Sequence, residues 1–76
     1  MHKNPSLVTI GKQIKGVRTS KGVLQDEAAF QSGLSRSYYS DVERGYRNIS
    51  ILNLIKIAKG LEVELADLLP AIDQIN

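Results

Sequence analysis

The stretch GLSRSYYSDVERGYRNIS, Gly33 to Ser50, decides how this chain is read. It sets three arginines, three tyrosines and five small polar side chains between two apolar runs. Most of those groups do not build a core, so the segment serves something outside it. Ser35 is a good N-cap and Gly45 a helix stop, which predicts a helix from Ser35 to about Arg44. Just upstream, a helix fits Gln25 to Ser32, with Asp26 and Glu27 in its first turn, where they complement the positive end of the dipole, and Gly33 breaks it.

These two predicted helices are joined by SGLS, a four-residue connection containing glycine. That is the spacing of a helix-turn-helix, whose second helix is offered to the major groove of DNA. Further out, Leu7, Ile10, Ile14 and Val17 fall on one face of a helix that Gly22 ends, with Lys12, Lys15 and Lys21 off that face. After the cap Ser50, a fourth helix places Ile51, Leu54, Ile55, Ala58 and Leu61 on one face up to Gly60 and its neighbours. A short fifth covers roughly Glu64 to Leu69 and is closed by Pro70. No strand pattern competes, and no repeat or linker interrupts the chain. The expected fold is all-α, a compact five-helix bundle containing a helix-turn-helix. Residues 1–76 read as one domain, ordered from about 7 to 70.

Composition narrows the functions. With 76 residues there is room for one modest core. There is no cysteine, and the single histidine, His2, sits near the N-terminus. A thiolate metal site, a disulfide framework and His-based catalysis are therefore not expected, and the chain reads as neither an enzyme nor a cofactor binder. No apolar run reaches the roughly 20 residues needed to cross a bilayer, so a cytoplasmic protein with no membrane partner is expected. Net charge is only +2, but residues 1–24 carry five bases and no acid, while residues 61–76 carry four acids and no base. A basic side suits nucleic acid, since each neutralised phosphate releases counterions; a solvated helix face explains the same charges.

Within the third predicted helix, Tyr39 and Val42 lie three apart and can face the core. Arg36, Ser37, Tyr38 and Ser40 remain at its outward N-terminal end. An arginine can bond guanine O6 and N7 together, a serine hydroxyl serves a base edge or a phosphate, and a tyrosine ring can pack on a thymine methyl. Free N–H groups at a helix start favour a nearby phosphate. Residues of these types are also what a solvated surface helix carries.

The segments IKGVRTSKG, QDEAA, SGLSRSYYSDVERGYRN and LIKIAKGLEVELADLL, in that order from about Ile10 to Leu69, resemble the Cro and repressor type (Xre) helix-turn-helix family. Within it, the small size and the run SRSYYSDVERGYRNIS are most similar to the controller proteins of restriction-modification systems. The resemblance implies a lambda-repressor-like DNA-binding fold and a dimeric, sequence-specific transcriptional regulator of double-stranded DNA. It implies that Arg36, Ser37 and Tyr38 face bases or nearby phosphates, and that Gln25, Arg47, Asn48 and Asn53 hold the backbone. Arg47 alternatively reaches a base, and Tyr46 packs on sugar-phosphate or covers its loop. The family's helix-one arginine and late recognition-helix glutamate are matched by Arg18 and Glu43, which implies a structural pair locking the third helix. Four positions depart from the pattern. Leu24 stands where a Ser or Thr cap is usual, a loss typically costing about 1 kcal/mol. Ala28 replaces a leucine, and Phe30 a polar residue. Tyr39 stands at a β-branched position and is expected to be a core or half-core ring whose hydroxyl reaches the surface.

One such helix is too little surface to choose a single site in a genome, so a homodimer on a palindromic operator is expected. Its candidate interface is Leu52, Leu65, Leu68 and Leu69, with Ile72 and Ile75 adding apolar surface beyond what a short last helix must bury. The acids Asp26, Glu27 and Asp41 are candidates for touching RNA polymerase. A phage-type repressor and an antitoxin use the same fold and stay open as alternatives to a restriction-modification regulator.

Overall fold

The computed structural model describes residues 4–74; His2 and Ile75 lie outside them. Four α-helices occur among the described residues: α1 Pro5–Ser20, α2 Gln25–Ser32, α3 Arg36–Glu43 and α4 Ile51–Leu61. The expected fifth helix is instead a single 3-10 turn, Leu65–Leu68, followed by another at Ile72–Gln74. Four residues before Pro70 leave too few i to i−4 bonds for an α-helix to propagate. Asp67 closes that turn by accepting from the Glu64 N–H at 3.0 Å.

The caps explain where the helices start. Asn4 Oδ1 accepts from Ser6 N at 2.8 Å, with Pro5 in the first helical position, where its missing N–H costs nothing. Ser35 and Ser50 accept from the N–H groups of Tyr38 and Asn53 at 3.2 and 3.1 Å. At Leu24, which has no capping atom, Glu27 reaches back to the Leu24 N–H at 3.0 Å, so one half of a capping box survives.

The core is Ile14, Ala28, Ala29, Tyr39, Val42, Leu54, Ile57, Ala58, Leu61 and Leu68, with Ile10 and Val17 packed against it. Ala28 is fully buried and Phe30 is 86% exposed, so the apolar bulk that departs from the family pattern lies outside the core. The buried stripe of α4 is Leu54, Ile57, Ala58 and Leu61, rotated from the expected one. Ile51 is exposed and Ile55 half-buried. Apolar residues occur nearly all round this helix, so two stripes at the same spacing compete in the sequence and packing on α2 selects one.

Two glycines set how closely the helices approach. A Cβ on Gly11 would stand 2.5 Å from the Glu43 carbonyl oxygen, so α1 lies directly against the end of α3. Gly60 lies inside α4 rather than ending it, where a Cβ would come within 2.7 Å of Ser32 Oγ and 3.0 Å of the α2 backbone. With Gly60 used for contact, Glu62 takes the left-handed cap conformation instead, at φ 58°.

Candidate DNA-binding interface

The attitude of α3 is fixed from behind. Arg18 donates from Nε to Glu43 Oε2 at 2.6 Å and from Nη2 to Oε1 at 3.1 Å, while its Nη1 donates to the Val23 carbonyl at 2.7 Å. Glu43 Oε1 also accepts from Gln25 Nε2 at 2.8 Å. The side chains of the pair are 9% and 1% exposed, so their charges must satisfy each other. Burial pushes the Glu43 carboxyl up, but the donors Arg18 and Gln25 and the Tyr39 hydroxyl outweigh it and hold Glu43 below its ordinary pKa. Bonding to Glu43 raises the Arg18 pKa against the opposing effect of burial. The Tyr39 hydroxyl does not reach the surface as expected. Its ring fills the centre of the core, and the oxygen is buried without a well-formed hydrogen bond. Burial and then the Glu43 carboxylate push its pKa well above the ordinary tyrosine value.

With Tyr39, Val42 and Glu43 turned inward, α3 presents Arg36 and Ser37 outward at its first turn and leaves Ser40 half-exposed. Arg36 is held rather than free. Its Nη1 donates to Asp26 Oδ1, and its Nη2 to Gln25 Oε1 at 3.3 Å. Gln25 thus spans two roles, its nitrogen on the buried Glu43 and its oxygen on the exposed Arg36.

A second group forms on the other flank. The Tyr38 hydroxyl accepts from Asn53 Nδ2 at 3.1 Å, and the Arg47 guanidinium lies 5.5 Å from the Tyr38 ring centre. Tyr38, Arg47 and Asn53 therefore form one polar surface joining the starts of α3 and α4. Asn48 is exposed in the loop between them. Asp41 organises this edge: its carboxylate accepts from Arg44 Nη2 at 2.6 Å and lies 3.6 Å from Arg47 Nε. The Arg44 guanidinium in turn sits 5.1 Å from the Tyr46 ring centre. Arg44, outside the expected site residues, follows Ser37 by seven residues and Ser40 by four and so shares their face. Of the acids named as candidates for touching RNA polymerase, Asp26 and Asp41 are engaged by arginines, and Glu27 by the Leu24 N–H.

Of the four leucines expected to line a dimer interface, Leu68 is fully buried in the core and cannot line one. A turn this short has one inward position, and Leu68 takes it. Leu65 is half-buried against the core. Leu52 and Leu69 are 69% and 39% exposed, and Ile51, which was assigned inward, joins them at 58%. Among the described residues, no helix is long and apolar enough to cross a membrane.

A bonded core behind α3, with an arginine and a serine displayed at its start after a short turn, is the form of a DNA-reading helix-turn-helix. Residues 14–68 match the helix-turn-helix family model. The chain belongs to that family of DNA-binding transcriptional regulators, and within it to the controller proteins of restriction-modification systems. It is 45% identical over 60 residues to the control protein C.BamHI of Bacillus amyloliquefaciens, covering 78% of this chain and 74% of that protein. It is 39% identical over 72 residues to the control protein C.MunI of a Mycoplasma species, covering 93% and 97%. The crystal structure of the restriction-modification controller protein C.AhdI from Aeromonas hydrophila superposes with a TM-score of 0.80 at 47% identity, covering 82% of this chain and 94% of that one.

Proposed function

We propose that this chain acts as a homodimer on a palindromic operator and sets the expression of a restriction-modification operon. Arg36 and Ser37 read bases; Tyr38, Ser40, Gln25, Arg47, Asn48 and Asn53 place the helix on the backbone. The observation that carries the reading is the exposed start of α3, which carries Arg36 and Ser37 and is locked from behind by the buried Arg18–Glu43 pair. Phosphate contacts position and base contacts specify, so this division gives a site with a preferred sequence. A molecule of 29 × 26 × 22 Å is small enough for two copies, side by side, to reach half-sites one helical turn apart, ~34 Å. The exposed Ile51, Leu52 and Leu69 supply an apolar surface for that pairing. Operon activation further requires a contact with RNA polymerase.

Selection of duplexes by the wild-type protein from a random pool tests this reading, with an enriched two-fold symmetric sequence expected. On that duplex, Arg36→Ala loses discrimination worth about 1–3 kcal/mol, while binding to a shuffled duplex falls much less. Equal losses on both would make Arg36 a phosphate contact. A pool that yields no common sequence would overturn the reading.

A further inference from the structure

We infer that Asp26 is a positioning residue for base recognition, holding the Arg36 guanidinium so that it prefers a guanine edge to a phosphate. This rests on the sequence-specific DNA binding proposed above. Asp26 lies in the first turn of α2 and Arg36 at the first position of α3, so the turn brings an acid beside the arginine best placed to read a base.

Their side chains are 72% and 58% exposed, and a pair that open is too weak to act as a structural brace. It does not hold alone, however. Gln25 Oε1 accepts from the same guanidinium at 3.3 Å, and Gln25 is itself anchored on buried Glu43 at 2.8 Å. A guanidinium carries five N–H donors, so two acceptors leave others free in a fixed plane. A free arginine would lose much of its rotamer freedom on binding; this one has part of that ordering already done.

The acid also determines which ligand wins. A phosphate oxygen is an anion, so taking the unused N–H groups brings it against the Asp26 carboxylate, which repels it. Guanine O6 and N7 are neutral acceptors that take the unused N–H groups and leave the Asp26 contact in place. The Asp26 carboxylate therefore weakens backbone-only binding and favours the base.

The test uses the duplex selected by the wild-type protein and a shuffled copy, with dissociation constants measured at one salt concentration for wild type, Asp26→Asn, Arg36→Ala and the double variant. Asn keeps the shape and the site is exposed, so thermal melts of Asp26→Asn should stay close to wild type. Asp26→Asn is expected to tighten binding to the shuffled duplex and lower the selected-to-shuffled ratio by about tenfold. In the Arg36→Ala background the same change should leave the ratio unaltered. If Asp26→Asn tightens both duplexes equally, the acid is only a repulsive charge and the inference falls. An equal drop in the ratio without Arg36 would mean that Asp26 meets a base itself, which also overturns it. A wild-type protein that does not distinguish the two duplexes would remove the underlying reading instead.

Discussion

Replacing Glu43 with alanine removes the acceptor at the centre of the molecule. Three bonds disappear together, two from Arg18 and one from Gln25, and the Arg18 guanidinium is left in a site where its side chain is 9% exposed. Breaking a buried pair in this way typically costs 3–5 kcal/mol, dominated by the stranded charge. Arg18 keeps the Val23 carbonyl at 2.7 Å, which cushions the loss, and Gln25 is exposed enough to turn to water. The lower end, about 3 kcal/mol, is therefore expected. Single domains are stable by only about 5–15 kcal/mol, so the loss takes a large share. With a urea slope of about 1 kcal/mol/M for a chain this small, the midpoint should fall by about 3 M at fixed protein concentration, followed by circular dichroism. A companion Arg18→Met, Glu43→Leu variant replaces both charges with apolar volume and should recover at least half of that loss. A midpoint within about 0.5 M of wild type for Glu43→Ala would refute the reasoning, since it would mean that the pair is hydrated in solution.

Because the folded Glu43 pKa is depressed, its contribution to stability is present above the unfolded value, about 4.3, and drains away as pH falls from there through the folded value; urea midpoints compared between pH 7 and pH 3 should show a decline that Glu43→Gln lacks. Glu62→Gly places the residue that favours φ 58° at the α4 cap and should raise stability by up to about 1 kcal/mol, read as a higher melting temperature. Leu52→Asp alters a side chain 69% exposed in the single chain, so helicity should persist while sedimentation reports a monomer; a folded variant that stays dimeric would place the interface elsewhere.

The ends of the helices were legible wherever a small residue marked them. Ser35 and Ser50 cap as read, and Gly22, Gly33 and Gly45 all take positive φ at helix ends. The last helix ends at Leu61, beside Gly60 as expected, but Gly60 itself serves close packing on α2, which no local feature of the sequence shows. The register of α4 was hidden by apolar residues on both sides of the helix, and only the position of α2 decides between Ile51 and Ile57 for the inward place. The exposed place of Arg36 at the start of α3 was legible from residue type and helix position. Its acid was not, because Asp26 and Arg36 are ten residues apart and meet only once the turn has folded. Arg44 shares the face of Ser37 and Ser40 by helical spacing alone, but its contacts with Asp41 and Tyr46 appear only in the folded chain.

Gln25 gives this molecule an unusual constraint on divergence. Exposed positions such as Ser37 bear little on stability, so a lineage can rewrite them and acquire a new target without refolding its core. Gln25 has no such freedom, because one amide carries the tether to Glu43 on its nitrogen and the rest for Arg36 on its oxygen. A substitution there alters inheritance of the fold and choice of target in the same step. Related proteins with different targets should therefore vary at Ser37 before they vary at Gln25.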